Sequence, residues 1–292
     1  MSRLLFDTIR TIQFNIIAMV GLTRDSALLG LVLFCAFSGA VFACGPSSDC
    51  TLDDRHYRIR LPDNLVSKQK IGAIFFQHGY QGSAAGVMRN KHLARVAQDL
   101  GVALIATKSA GLDWAIPGSP SMGSKDPEDE LQYFDNVRTD VLARYPIDPD
   151  RIMVTGFSAG GMMTWNLACH RPADYAAFAP MAGTFWKPIP ENCSKPVVNI
   201  IHVHGNRDRT VPLVGRKIGP AHQGAIREAL EMYANFGSFG PVSTRQFGLL
   251  TCEDRVNNDD ILLRFCLFDG RHSFKSSYVK TVWNMFFYSG RL

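Results

Sequence analysis

Short apolar runs alternate with stretches of helical periodicity along most of this chain. That alternation limits the fold more than any other feature. IGAIFFQ (71–77), VALIAT (102–107), 152–155, VVNIIHV (197–203) and 261–268 each have the length and apolar density of a buried strand. Residues 56–61 alternate polar and apolar side chains, as a half-exposed edge strand does. Between these runs, apolar residues recur at helical spacing over 84–101, 128–144 and 162–170, and again around Trp283 near the end of the chain. Strands that alternate with helices pair in parallel, because each crossover needs a helix to return the chain. The expectation is an α/β architecture: a mostly parallel sheet with helices on both faces. In such sheets functional groups gather where the strands end at their carboxyl edge.

The first 43 residues stand apart. Residues 27–43 (ALLGLVLFCAFSGAVFA) carry no charge, and at 17 residues the run is short for a membrane span. It follows Arg24-Asp25 and ends in Val41-Phe42-Ala43, the small-residue pattern of a signal cleavage site. The reading is a secretory signal over 1–43, with Met19 as an alternative start, and a catalytic domain over 44–292. No stable membrane span then remains after cleavage, and the mature protein is secreted or periplasmic. An uncleaved anchor is the competing reading, and Cys44 directly after the site raises lipoprotein anchoring as another.

Removal of the signal takes Cys35 with it and leaves Cys44, Cys50, Cys169, Cys193, Cys252 and Cys266. An even count in an exported chain points to disulfides, with buried free thiols as the alternative. Cys44 and Cys50 enclose the turn-rich GPSSD, and Cys252 and Cys266 flank a hairpin-like VNNDD. Cys169 and Cys193 are left for each other. Acylation of Cys44 would strand Cys50, which weighs against the lipoprotein reading.

With 46% hydrophobic and 20% charged residues the chain is globular rather than disordered. Its formal charge of +5 is not gathered into a basic stripe, so nucleic acid is not expected as a partner. The histidines are scattered and the cysteines suit disulfides, so no metal set emerges. No G-x-G-x-x-G follows an early strand, so no nucleotide cofactor is expected, and the cofactor expectation is none. Oligomeric state is not legible.

Chemistry concentrates at TGFSAGG (155–161). An apolar strand runs into it and a helix leaves it, so Ser158 stands on a strand-to-helix corner. Glycines on either side suit a backbone that must turn sharply. A serine nucleophile needs a base to take its proton and an acid to orient that base. Asp208 follows the strand VVNIIHV in HGNRDRTVPL, and His272 follows the last strand in LFDGRHSF. The order nucleophile, acid, base is the one this corner type uses. His222 competes as base but follows no clear strand. His202 reads as a packed histidine within a strand, and His204 and His78 as loop-shaping residues before glycines. The oxyanion donors expected are the backbone N–H of Ala159 and that of Tyr80, in the loop after IGAIFFQ. The irregular stretch 108–129 reads as a lid or a substrate-binding loop, with Tyr80 and Trp114 as pocket walls and a core position as the alternative for Trp114.

The segment YPIDPDRIMVTGFSAGGMMTWNLACHRPADYAAFAPMAG (145–183), with HGYQGSA, HGNRDRTVP and GRHSF, resembles the polyhydroxybutyrate depolymerase and feruloyl esterase group of exported α/β-hydrolases. The resemblance implies the α/β-hydrolase fold and carboxylic ester hydrolysis by Ser158, Asp208 and His272. Two departures bear on substrate: HGC of the group is HGY here, and its tryptophan-containing sequence around the last histidine is reduced to DGRHSF. The expected substrate is a small ester or oligoester, of short-chain or hydroxyalkanoate type. The alternatives are a feruloyl or acetyl esterase, a serine peptidase, and an inactive binding protein on the same fold. No linker or second module of the polymer-degrading kind is visible.

Overall fold

The computed structural model describes residues 44–66, 69–121 and 126–288. The expected signal segment 1–43 lies outside the described residues, as does 122–125 of the irregular stretch. The strands are β1 (Cys50–Leu52), β2 (Arg55–Arg60), β3 (Ile71–Gln77), β4 (Ala103–Thr107), β5 (Ile147–Phe157), β6 (Ala177–Met181), β7 (Ile200–Gly205), β8 (Arg216–Ile218), β9 (Ala221–Gln223), β10 (Ser243–Phe247), β11 (Leu250–Val256) and β12 (Leu262–Phe268). The helices are α1 (Ala84–Arg89), α2 (Lys91–Leu100), α3 (Pro127–Arg144), α4 (Ala159–His170), α5 (Ile226–Phe236) and α6 (Ser276–Phe287). Ten strands form one sheet in the order β1-β2-β4-β3-β5-β6-β7-β12-β11-β10. The run from β4 to β12 is parallel, and each end is finished by antiparallel strands.

The parallel strands are apolar along their whole length because both faces are covered. Their side chains alternate between two cores. Ile71, Ala73 and Phe75 of β3 join Ile152 and Val154 of β5 on the face covered by α3, α4 and α5. Ile74 and Phe76 join Met153 on the other face, under α1, α2 and α6, where Trp283 is fully buried. This is the α/β-hydrolase architecture implied by the sequence resemblance.

The region expected as one helix over 84–101 is two. Asn90 ends α1 and begins α2: its N–H bonds the Val87 carbonyl, and its side-chain oxygen accepts from the His92 and Leu93 N–H groups. A side chain that satisfies the first N–H groups of a new helix competes with continuation of the old one. The strand expected at the sheet edge, β2, is one place in, with short β1 outside it.

All three cysteine pairs expected from the sequence are bonded: Cys44–Cys50, Cys169–Cys193 and Cys252–Cys266. Cys252 and Cys266 face each other across β11 and β12, and β12 in turn pairs with β7. This bridge, with a sequence separation of 14, restricts the unfolded chain by up to about 3 kcal/mol in the chain-entropy model. Reduction with the fold otherwise intact is expected to lower the melting temperature by roughly 5–10 °C for a domain of this size. Calorimetry of Cys252→Ala/Cys266→Ala against the parent checks this, and an unchanged melting temperature would refute it.

Candidate active site

The chain passes from β3 outward to β4 and then returns to β5 on the other side of β3. That reversal opens a crevice at the carboxyl ends of β3 and β5. Ser158 sits there, at the end of β5 and the start of α4, with φ 60° and ψ −121°. A non-glycine residue held at such a φ costs about 1–3 kcal/mol and persists only where its surroundings enforce it. Here they do. The Ser158 N–H donates to the Met181 carbonyl at 2.9 Å, and the Ser158 carbonyl accepts from Met162 N–H at 2.9 Å. The glycines of TGFSAGG allow close approach rather than unusual dihedrals. A Cβ on Gly160 would lie 2.1 Å from the Gln77 carbonyl oxygen, and one on Gly156 would lie 2.4 Å from the Gly160 carbonyl oxygen. The first turn of α4 is thus seated on the end of β3.

Asp208 and His272 come together from loops after β7 and β12, strands that are neighbours in the sheet. His272 Nδ1 lies 2.6 Å from Asp208 Oδ2. The other carboxylate oxygen accepts from the Thr210 and Val211 N–H groups at 2.8 and 2.9 Å. The Asp208 side chain is fully buried, while that of His272 is 16% exposed. Burial alone would push the Asp208 carboxyl up. Hydrogen bonds from His204, His272 and Val211, and the charge of His272, outweigh it and hold the group well below the usual carboxylate range. Asp208 is therefore an anion, and a donor to it must sit on His272 Nδ1. That leaves Nε2 of the neutral ring as a proton acceptor. His272 packs against Phe157, the residue before Ser158, with ring centroids 4.6 Å apart. The competing base, His222, lies in the β8–β9 hairpin, its ring against the Gln223 carbonyl.

The loop after β3 runs beside the corner: a Cβ on Gly79 would lie 3.6 Å from Ser158 Cβ. His78 sets this loop. Its Nε2 accepts from Ser109 N–H at 3.2 Å, so its Nδ1–H donates to the Gly79 carbonyl at 2.8 Å. Gly82 N–H also donates to that carbonyl, at 2.9 Å. In a trans peptide the next N–H, that of Tyr80, points the opposite way, out of the turn. Ala159 N–H is at the first position of α4, where no intrahelical acceptor exists and the helix dipole favours negative charge. Of the two readings of Trp114, the structure bears out the core position. It is fully buried, donates to the His78 carbonyl and packs between His78 and Phe134, so it is core and not pocket wall. Tyr80 is 55% exposed. A cavity of about 190 Å³ adjoins the loop, lined by Phe76, Gly79, Val87, Phe157 and Phe274 among others.

Sequence reasoning passed over His204. Its Nε2 lies 3.3 Å from Asp208 Oδ2 and 2.9 Å from the Val211 carbonyl. The signal was its place four residues before Asp208 and two after His202, on the same face of β7. Among the described residues, no group of three or more His, Cys, Asp or Glu side chains is placed to hold a metal ion, and no helix is long and apolar enough to cross a membrane.

Burial lowers His78 to about 4, against the opposing pull of its bond to Gly79, and Lys108 adds to the lowering. Burial and the neighbouring His204 hold His202 well below the ordinary imidazole range. The unfolded chain therefore binds protons at these rings that the folded protein refuses. Their contribution to stability is complete above the ordinary imidazole range and is lost as pH falls toward about 4; for His78 it is about 3 kcal/mol. Asp208 works in the same sense but only below the ordinary carboxylate range. The melting temperature is expected to fall steadily from about pH 7 to about pH 4.5. Calorimetry across that window would refute this by finding no slope.

Comparison with known proteins places these features in context. The Phospholipase/Carboxylesterase family matches over residues 128–233, from α3 to α5, a span that includes Ser158 and Asp208. Feruloyl esterase D of Neurospora crassa is 28% identical over 184 residues, covering 56% of this chain and 63% of that protein. Poly(3-hydroxyalkanoate) depolymerase C of Paucimonas lemoignei is 37% identical over 75 residues, covering 26% of this chain and 17% of that protein. The chain spans about half the length of the curated relatives it matches. Among solved structures, acetyl xylan esterase from Aspergillus awamori superposes with a TM-score of 0.58 at 18% identity, over 84% of this chain and 97% of that one. The likeness in structure shows the α/β-hydrolase fold, and the sequence relatives bear out the resemblance to the depolymerase and feruloyl esterase group.

Proposed function

We propose that this chain is an exported serine carboxylesterase that hydrolyses short-chain or hydroxyalkanoate esters through an acyl-enzyme. The observation that carries the reading is the 2.6 Å pair of His272 and buried Asp208, set against the residue before a strained Ser158. Ser158 Oγ attacks the ester carbonyl carbon while His272 Nε2 takes its proton. Asp208 holds the ring in the tautomer that leaves Nε2 free, and it stabilises the imidazolium that forms. The carbonyl oxygen, now negative, meets the N–H groups of Tyr80 and Ala159. Collapse breaks the bond to the alcohol, which leaves with the proton from His272. Water then gives its proton to His272 and attacks the acyl carbon; the bond to Ser158 Oγ breaks as that oxygen takes the proton back from His272, and the acid departs.

Three disulfides and the export signal read in 1–43 support action outside the cytoplasm. The small cavity beside the loop after β3 supports a small acyl or alcohol group rather than a long chain. Its three phenylalanines favour a second reading, an aryl ester of the feruloyl type, because ring faces suit an aromatic group.

A fluorophosphonate probe on the intact protein tests the chemistry: it is expected to label Ser158 and to abolish hydrolysis of p-nitrophenyl esters. Lack of labelling would leave an inactive binding protein, and turnover of peptide amides above esters would make the chain a peptidase. At equal ester concentration, soluble short-chain esters and hydroxyalkanoate oligomers are expected to be cleaved faster than crystalline polymer granules, with feruloyl esters second. Efficient clearing of granules would contradict this ranking.

A further inference from the structure

A line of buried polar groups leads to Asp208 from the side opposite His272. Trp165 on α4 donates from Nε1 to His202 Nδ1 at 2.9 Å. His202 Nε2 is 2.9 Å from His204 Nδ1. The two rings are 5.2 Å apart and within 13° of parallel. His204 Nε2 is 2.9 Å from the Val211 carbonyl and 3.3 Å from Asp208 Oδ2. Trp165, His202 and His204 are all fully buried. Three apolar side chains would fill this space without the cost of desolvating polar atoms.

The direction of every proton in the line follows from its first member. An indole N–H only donates, so His202 Nδ1 must accept. Neutral His202 then carries its proton on Nε2 and donates to His204 Nδ1. His204 in turn carries its proton on Nε2 and donates it to the Val211 carbonyl, with Asp208 Oδ2 beside it at 3.3 Å. The reverse order would bring N–H against N–H at Trp165. The line is therefore fixed in polarity and does not conduct a proton. Its end clamps the acid loop from both sides of one residue: His204 holds the Val211 carbonyl while Val211 N–H holds Asp208 Oδ1.

We propose that Trp165, His202 and His204 are positioning residues for the reaction, a one-way hydrogen-bond relay that brings an N–H beside the Asp208 carboxylate and fixes the loop that presents it to His272. The proposal rests on the esterase reading for its kinetic consequence, though not for its geometry. Loss of the His204 N–H, which holds the Val211 carbonyl and lies 3.3 Å from Asp208 Oδ2, is expected to lower kcat by about ten- to a hundred-fold. KM holds, because none of the three touches substrate.

The test compares His204→Leu, His204→Gln and Trp165→Phe in the full chain, together with nitrogen-15 NMR of histidine tautomers in the parent. The glutamine amide restores a donor where His204 Nε2 stood, so His204→Gln is expected to recover most of the kcat lost in His204→Leu. Trp165→Phe keeps an aromatic ring and removes only the donor that fixes polarity. It is expected to lower kcat several-fold and to mix the tautomers of His202. NMR of the parent is expected to show the Nε2–H form at both His202 and His204. An Nδ1–H form at either ring would overturn the relay, even in a protein without esterase activity. If neither labelling of Ser158 nor ester turnover is found, the esterase reading falls, and the NMR result still decides the relay. Lower melting temperature with unchanged kcat in His204→Leu would reduce the line to a structural role and overturn the proposal. If His204→Leu does not fold, Trp165→Phe decides, and parental kcat in that variant overturns it.

Discussion

Ser158→Ala is expected to lower kcat by about 10³–10⁶ while the melting temperature stays within a few degrees of the parent. The activity loss follows from the removal of the only atom proposed to bond the acyl group. The stability expectation follows from the backbone. Alanine at position 158 meets the same positive φ as serine does, and the bonds that hold the corner run through the Ser158 N–H and carbonyl, not through its hydroxyl. His272→Ala is expected to cost about as much in kcat, because a nucleophile whose proton has nowhere to go is little better than none. Combining the two changes should add little to either. Asp208→Asn is different in kind. An amide has one acceptor oxygen where the carboxylate serves four donors: Thr210, Val211, His204 and His272. It is expected to lose both kcat and melting temperature. The measurements are single-substrate kinetics and calorimetry on the parent and on each of these variants. Activity retained in His272→Ala and lost in His222→Ala would move the base to the wrong loop for the geometry described above.

The parts of this site legible in the sequence were those governed by local rules. A glycine-flanked serine after an apolar run marks a strand-to-helix corner because few other sequences can turn there. Asp208 and His272 were legible as residues just past strands, since strand ends of a parallel sheet converge on one edge. Nothing local links them: they are 64 residues apart in the chain, and only the adjacency of β7 and β12 brings them together. The cysteine pairs were legible because two of them enclose short turns, which left the third by exclusion.

What remained hidden depended on partners distant in sequence. Strand β6 carries Pro180, which lacks a ladder donor and reads as a strand breaker, yet it pairs opposite Gly156 inside the sheet. Helix α5 and the edge pairing of β10 with β11 were not separated from loop by pattern alone. Trp114 stands in a glycine- and proline-rich stretch that looks exposed, and only the His78 carbonyl and Phe134 reveal it as core. His204 reads as a residue before a turn glycine. Its role beside Asp208 appears only when the loop folds back on β7, and the place of Trp165 in the same line needs α4 packed across that strand.

Among the described glycines, Gly160 is where an added methyl group meets the shortest contact, and Gly160→Ala is expected to be severely damaging. The glycine has an ordinary φ, so alanine would suit its conformation, and helix propensity by itself would favour the change. Space forbids it. The new Cβ would lie 2.1 Å from the Gln77 carbonyl oxygen, 2.6 Å from its carbon and 2.8 Å from the His78 carbonyl oxygen. All three are backbone atoms, so no side chain can swing aside. Relief requires α4 to lift from the end of β3. That movement pulls Ser158 away from the loop that carries Gly79 and Tyr80, and it disturbs the bond from Ser158 N–H to Met181. The expected cost is more than about 4 kcal/mol, the range reached only where packing is directly violated. The expected results are loss of soluble protein, or a folded remnant with a sharply lower melting temperature and little turnover. Gly101→Ala is the control that separates crowding from backbone strain. Gly101 has φ 65° and nothing within 4 Å of its Cβ position, so alanine there meets strain alone. It is expected to cost about 1 kcal/mol and to leave kcat at the parental value. If Gly160→Ala instead behaves like Gly101→Ala in both melting temperature and kcat, then α4 is not seated on β3 as described, and the geometry of the corner must be revised.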